Sequence, residues 1–372
     1  MSVLWLLGIS TIMGLVLLPS ASFPASLSLI REEWGLSNFQ AGVIYSAYQV
    51  SYLGAVLVLL PLTDRLDTRA VALVSVVLSV VGNALFPLFG QGFISGSLLR
   101  AVAGVGLVGI YMPGLRLVAE RFAQRHRGGA VGIYVGSFTL GTAVSLGLTG
   151  LLIPSLGWRG AYLTLSLAGI AALPLAYVVL RGVHRPAIPP SSGTLDLAVL
   201  GNRGALLTIL GYAAHSWELF AARVWVAPFL AAILVARGGG TVEAAATAAA
   251  TAAVLFGAGA LVGSVAGLVS DRLGRAITAG AILSVSALCS LVFGWLWGMP
   301  WEVIILVGLV YGLTIASDSP IYSTGVTELA RPGQLGSTMA VQSFFGFSAS
   351  IMAPVVFGFI LDWGAGLGWG LA

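Results

Sequence analysis

The chain has 372 residues, of which 58% are hydrophobic and only 8% charged, and its mean hydropathy is +1.01. That balance excludes a water-soluble domain of this length and marks an integral membrane protein. The net charge of +4 rests on 17 arginines with no lysine, and their placement in loops makes the charge a topological signal, not a nucleic-acid footprint.

A bilayer core about 30 Å thick takes roughly 20 apolar residues at helical rise. In chain order, the charge-poor runs predict helices near 4–29, 38–61, 70–90, 93–118, 129–153, 160–180, 204–235, 244–269, 277–298, 301–326 and 337–361, each to within a few residues. The first run carries small residues at Pro19–Ser22 that resemble a leader cleavage region. No arginine precedes it and many spans follow, so it reads as a span.

The longest polar interruption, Arg181 to Arg203, holds His184-Arg-Pro-Ala-Ile-Pro-Pro-Ser-Ser-Gly193. Clustered Pro and Ser read as a linker. It divides the chain into a first transmembrane half, 1–181, a cytoplasmic linker, 182–203, and a second transmembrane half, 204–372. Six predicted spans precede the linker and five follow. Only ten residues remain after Asp362, too few to cross again, so a twelfth span is absent from the expected set.

Arginines fix the expected orientation. Loops after the even-numbered spans, with their flanks, hold Arg65, Arg69, Arg116, Arg121, Arg125, Arg127, Arg181, Arg185, Arg203, Arg272, Arg275 and Arg331, whereas the opposite loops hold Arg31, Arg159 and Arg237. The excess places the N-terminus and the arginine-rich loops in the cytoplasm. Cys289 is the single cysteine, so no internal disulfide forms.

Two of those loops repeat a pattern. Leu60-Pro-Leu-Thr-Asp64-Arg65-Leu66-Asp67-Thr-Arg69 follows the second span, and Gly267-Leu-Val-Ser-Asp271-Arg272-Leu273-Gly274-Arg275 follows the eighth. A repeat some two hundred residues apart implies halves of related design. In the fourth span, Arg100 precedes Gly104-x-Gly106-x-x-Gly109. That spacing is not a dinucleotide fingerprint, which needs a preceding strand; inside an apolar helix, these glycines and Gly114 let neighbouring helices approach closely, as does the alanine-rich run 244–253.

The repeat, the spans and the linker together resemble the major facilitator superfamily, whose loop between helices two and three reads roughly Gly-x-Leu-x-Asp-Arg-x-Gly-Arg-Arg. Gly267, Asp271, Arg272, Gly274 and Arg275 fall in register with it, while Leu60 and Asp67 replace both glycines in the first copy. The resemblance implies an all-α membrane fold of two six-helix-type halves related by a pseudo-two-fold axis. It also implies a cytoplasmic gate, made here by Asp64, Arg65 and Arg69 with Gly267, Asp271, Arg272, Gly274 and Arg275, that locks the halves together when the carrier faces outward. The segment His215-Ser-Trp217-Glu218-Leu and the segment Ala316 to Ser323 further resemble a poorly characterised bacterial branch of the superfamily, often labelled nitrate/nitrite carriers. True nitrate carriers use arginines in helices two and eight, and the corresponding spans here contain none.

Charge inside a span costs about 2.5–3.5 kcal/mol on insertion scales, so each such residue is a functional candidate. They are Arg100, Glu218, Arg223 and Asp318, joined by His215, three residues before Glu218 and on nearly the same helical face. Two readings stand for Glu218: a proton site with His215 or Asp318, or a static pair with Arg223. Two stand likewise for Arg100 and Arg223: a forked anion site in a central cavity, or structural bonds to carbonyls and carboxylates. Tyr45, Tyr48, Tyr111, Trp217 and Trp225 are candidate cavity aromatics.

The reading that follows is a secondary transporter in the bacterial inner membrane, moving a small organic solute by rocker-switch alternating access, with protons as the candidate coupling ion and a monomer as the working unit. An anionic solute follows if the arginines are a binding pair. A drug/proton antiporter is a weaker alternative because the fifth span lacks the usual Gly-Pro pair, and a non-transporting receptor or assembly protein on the same fold is another. An enzyme is least supported: no nucleophile–base set or metal cluster is evident, the histidines are scattered at His126, His184 and His215, and no cofactor is expected. Because the second motif is intact and the first degenerate, Asp271→Ala is expected to disturb the balance of transport states more than Asp64→Ala. Inter-half distance distributions of the two variants check this, and equal shifts refute it.

Overall fold

Where apolar runs lack backbone partners other than their own, helix is the structure that satisfies every amide in lipid. A computed structural model describes residues 2–63, 68–122, 124–181, 196–332 and 334–372, and among them all regular structure is helical. The first half contains α1 (Ser2–Leu17), α2 (Ser22–Ala25), α3 (Leu27–Trp34), α4 (Asn38–Thr63), α5 (Thr68–Phe89), α6 (Phe93–Arg121), α7 (Gln124–Ala168) and α8 (Ala172–Val179). The second contains α9 (Arg203–Ala236), α10 (Thr241–Leu273), α11 (Arg275–Phe293), α12 (Trp301–Thr314), α13 (Ser319–Leu329), α14 (Leu335–Trp363) and α15 (Gly368–Leu371). Eight helical stretches among the described residues are long and apolar enough to cross a bilayer.

Three stretches differ from the expected spans, each for a local reason. The run 4–29 breaks after Leu17 into turns and two short helices, at a segment bearing Pro19 and Pro24. The runs 129–153 and 160–180 join in α7, whose 45 residues would reach about 68 Å, too long for one crossing. The direction changes at Gly157, whose φ of 65° and ψ of 172° leave the helical region. The run 301–326 divides into α12 and α13 at residues 315–318, where Pro320, in the first turn of α13, cannot continue the amide ladder.

Of the expected linker, 182–195 lies outside the described residues. Its end is docked on the second half: Gln334 donates to Asp196 Oδ2 at 2.6 Å, and Val199 packs with Ile209, Val326 and Val341. The ten residues after Asp362 form a turn and α15, which seats Trp369 among Phe229, Trp225 and Phe357, with ring centroids 5.2, 6.4 and 6.3 Å away.

The halves meet along two helix pairs, α4 with α14 and α7 with α10. Small residues allow it. A Cβ on Gly42 would lie 2.3 Å from the Pro354 carbonyl oxygen, one on Gly358 2.3 Å from that of Asn38, and one on Gly150 2.7 Å from that of Ala246. Ser46 Oγ donates to the Ile351 carbonyl at 2.6 Å, adding a bond between α4 and α14.

The side opposite the motif loops is sealed by a helix cap that crosses between the halves. Asp362, at the end of α14, accepts from the Asn38 and Phe39 amides at 2.9 and 2.8 Å and from Asn38 Nδ2 at 2.7 Å. Ser37 and Gln40 form a reciprocal capping box, and the Ala41 amide bonds the Ser37 carbonyl. All four amides that a helix start leaves unpaired are thereby satisfied at α4, two of them by the other half. Beside this seal, Arg159 Nη2 donates to Glu33 Oε1 and Nη1 to the Pro87 carbonyl, both at 2.6 Å. Burial pushes the Glu33 carboxyl up, but hydrogen bonds from Arg159 and Trp158 outweigh it and hold it below the ordinary carboxylate value.

Losing a cap of this kind costs about 0.5–2 kcal/mol. Asp362→Ala is therefore expected to lower thermal stability and to broaden the distance distribution between spin labels placed near residues 36 and 365. An unchanged distribution would mean that the glycine contacts alone hold this side shut.

Candidate functional site

Between the halves lies a cavity lined from the first half by Tyr45, Tyr48, Gln49 and Arg100 among others and from the second by Phe220, Arg223 and Phe256 among others. The two intramembrane arginines, far apart in sequence, thus border one space.

Arg100 sits on α6 at 1% exposure. Its Nη1 donates to the Tyr162 hydroxyl at 2.9 Å, that hydroxyl donates to Asn83 Oδ1 at 3.2 Å, and Asn83 Nδ2 donates to the Ser79 carbonyl at 2.9 Å. This chain, from α6 through α7 to α5, fixes the guanidinium. Its carbon lies 4.6 Å from the Tyr48 ring centroid and 5.3 Å from that of Phe23, where cation–π attraction of about 0.5–2 kcal/mol operates. Buried Arg100 Nε has no hydrogen-bond partner among the described residues. Glycines make room for this arrangement: a Cβ at Gly104 would lie 2.2 Å from the Tyr48 carbonyl oxygen, and one at Gly106 2.3 Å from the Ser79 nitrogen.

Arg223 reaches the cavity from α9, with its guanidinium carbon 5.2 Å from the Phe220 ring and 5.8 Å from Phe138, a first-half residue. Tyr45 lies within electrostatic reach of both arginines. Neither arginine pairs with a carboxylate among the described residues. The static Glu218–Arg223 pair is absent there as well. Five residues along a helix rotate the side chain by about 500°, or 140° net, so the two leave α9 in different directions.

Glu218 belongs to a second cluster, within the second half. Its Oε1 accepts from Ser286 Oγ at 2.7 Å, and Tyr311 lies within electrostatic reach of the same carboxylate. One turn earlier on α9, His215 Nδ1 lies 2.7 Å from Asp318 Oδ1, both side chains at 3% exposure. That contact is close without being aligned as an N–H···O bond, since Asp318 Oδ1 accepts none among the described residues. The rings of Tyr212 and Tyr322 flank His215 with centroids 5.9 and 6.3 Å away. Asp318 sits where α12 and α13 break, a placement typical of ion and solute sites in carriers.

The gate residues are only partly in view. Asp64 and Arg65 lie outside the described residues, and Arg69 places its guanidinium 3.9 Å from the Tyr177 ring centroid. In the second copy, Arg275 bonds Asp271 at 2.5 Å and Glu328, near the end of α13, at 2.9 Å. These partners are all in the second half. Arg272 is exposed, Gly267 has open space around it, and Gly274 takes a φ of 92° at the junction of α10 and α11, where a side chain would be strained.

Of the candidate cavity aromatics, Tyr45 and Tyr48 line the space. Tyr111 packs on Phe138 at 5.3 Å, Trp225 is buried against Phe357 and donates to the Pro354 carbonyl, and Trp217 is 39% exposed on the outer surface of the bundle. Sequence reasoning missed Tyr162, which holds Arg100, Asn83, which holds Tyr162, Ser286, which holds Glu218, and Tyr311 beside it. Asn83 carried a signal, as an amide inside an apolar span; the others carried none.

Residues 4–354 match the family model of the Major Facilitator Superfamily. The gallate transporter of Pseudomonas putida is 31% identical over 184 residues, 47% of this chain and 40% of that protein, so the match spans about two-fifths of that relative's length. The probable galactarate/D-glucarate transporter GudP of Bacillus subtilis is 24% identical over 382 residues, 90% of this chain and 80% of that protein. The probable sulfoacetate transporter SauU of Cupriavidus necator is 24% identical and covers 90% of this chain and 81% of its own. A bacterial homologue of the human lysosomal transporter Spinster, solved in an inward-facing and occupied conformation, superposes with a TM-score of 0.77 at 15% identity, covering 98% of this chain and 86% of that one. At that identity the likeness is one of fold.

Proposed function

The chain belongs to the Major Facilitator Superfamily of membrane transporters, and we propose that it carries a small organic anion across the bacterial inner membrane, by alternating access around the cavity between its halves. The observation that carries this reading is the pair Arg100 and Arg223, which line one cavity with no carboxylate partner among the described residues. A guanidinium presents a rigid fork that matches carboxylate or sulfonate oxygens, and a substrate anion offsets a buried charge that would otherwise be uncompensated. Relatives named as carriers of gallate, galactarate/D-glucarate and sulfoacetate support the same charge class. The arginine distribution favours a cytoplasmic N-terminus, and the protein is read as working as a monomer.

The second cluster supports proton coupling. His215 faces Asp318 and Tyr322 from α13, Tyr212 and Glu218 share its own helix, Ser286 holds Glu218 from α11, and Tyr311 lies near that carboxylate on α12. A carboxylate this close to an imidazole in a buried site can exchange a proton as its surroundings change.

Anion binding is tested by thermal stabilisation of the purified protein with gallate, sulfoacetate and neutral sugars. Anions are expected to stabilise and sugars not. Arg100→Ala and Arg223→Ala should each weaken anion binding tenfold or more, as loss of a charge-assisted bond worth about 1.5–3 kcal/mol implies. Indifference to anions in the parent protein would sink the reading.

Coupling is tested in proteoliposomes. Glu218→Gln and Asp318→Asn are expected to abolish accumulation driven by a pH gradient while sparing counterflow of the same solute. Unaltered pH dependence in both variants would remove the coupling role from this cluster.

A further inference from the structure

The two walls of the cavity differ in chemistry. Among the described residues that line it, the first half contributes seven polar side chains, Ser20, Tyr45, Tyr48, Gln49, Thr139 and Thr142 with Arg100, interspersed with seven apolar ones such as Leu17, Leu107 and Phe138. The second half contributes Leu219, Phe220, Phe256, Gly312, Ile315 and Ala316 beside Arg223, so Arg223 supplies its only polar side chain there. Two hydroxyls of the polar wall are already engaged as donors, Ser20 to the Leu17 carbonyl at 2.6 Å and Thr142 to the Phe138 carbonyl at 2.9 Å.

We infer that the cargo is an organic anion with an apolar body, such as an aliphatic or aromatic carboxylate, and not a polyhydroxylated sugar acid. This rests on the anion reading above and adds what lies between the charges. A solute held by Arg100 on one side and Arg223 on the other must lay part of its body on Phe220, Phe256 and Ile315. A carbon chain or ring loses water favourably on that wall, whereas each hydroxyl turned toward it gives up water without gaining a side-chain partner. A site selects for a hydroxyl only where a polar group is placed to meet it, and the second-half wall offers Arg223 alone.

The prediction runs against two of the relatives, the probable L-galactonate transporter of Escherichia coli, 28% identical over 38% of this chain, and the probable galactarate/D-glucarate transporter GudP, which aligns over 90% of this chain at 24% identity. Identity at that level leaves room for a different cavity wall.

The test uses matched pairs of dianions: adipate with galactarate, which share a six-carbon chain and differ by four hydroxyls, and succinate with tartrate, which differ by two. Affinities are measured on the full-length protein in nanodiscs by thermal shift and by inhibition of uptake of whichever member of the set is transported. The apolar member of at least one pair is expected to bind tenfold or more tightly than its hydroxylated partner, with both weakened in Arg100→Ala and Arg223→Ala. Phe256→Ser, which adds a hydroxyl to the apolar wall, is expected to narrow that ratio. Tighter or equal binding of galactarate and tartrate, still dependent on the arginines, would overturn the inference while leaving the anion reading intact. Binding of none of the four, or binding indifferent to both arginine variants, would remove the anion reading and this inference with it.

Discussion

The close approach of the two halves on one side of the bilayer is the constraint from which the rest follows. Gly42 and Gly358 let α4 and α14 touch at backbone distance, Gly150 does the same between α7 and α10, and Asp362 completes the amide accounting at the start of α4. Each term is small: a cap is worth about 0.5–2 kcal/mol, and close van der Waals packing adds increments of similar size. Because these contacts gather on the side away from the motif loops, the cavity behind them is bounded by both halves and carries one arginine from each. A larger residue at Gly42 or Gly358 would push the helices apart and dissolve the site without touching a single lining residue.

Helix α9 then divides the work. A span with three ionisable side chains at positions 215, 218 and 223 would be expensive if all faced lipid. Helical rotation solves this, sending His215 and Glu218 into the interior of the second half and Arg223 into the space between halves. One rigid element thereby touches both the cavity and the buried His–Asp contact. A tilt of α9 that alters the wall at Arg223 also alters the distance from His215 to the α12–α13 break, a physical route by which solute and ion sites can sense each other.

Much of this was legible in the sequence because the bilayer restricts what a sequence can do. Hydropathy alone located most of the helical runs, and the cost of buried charge picked out Arg100, His215, Glu218, Arg223 and Asp318 as candidates before their neighbours were known. What sequence could not supply was which charges meet. Glu218 and Arg223 are five residues apart and diverge, whereas His215 and Asp318 are 103 positions apart in number and sit 2.7 Å from each other. Tyr162 was equally silent, since tyrosine in a span is ordinary until its hydroxyl is seen between Arg100 and Asn83. The break in α12–α13 could have been foreseen from Pro320, and the joined course of α7 could not, because Pro154, Ser155, Gly157 and Arg159 between the two apolar runs read as a loop.

The repeated loop motif is the expected gate, and its described contacts stay within one half. In the arrangement described, Arg275 spends its donors on Asp271, Glu328 and Ser270, all within the second half, while the cross-half carboxylate bonds lie at Asp362 on the other side. Both ends use the same physics, carboxylates at helix ends and fork-shaped arginine contacts, which the proposed alternating access would exchange. If the seals differ by only a few kcal/mol, neither state is deep, and a bound solute can decide between them only through differential affinity. A ligand held from both walls supplies that difference, because its contacts to Arg100 and to the Phe220 and Phe256 wall coexist only while the halves are close. Under the proposed function, placing one arginine on each half would therefore do more than match charge: it would tie the energy of binding to the closure that alternating access requires.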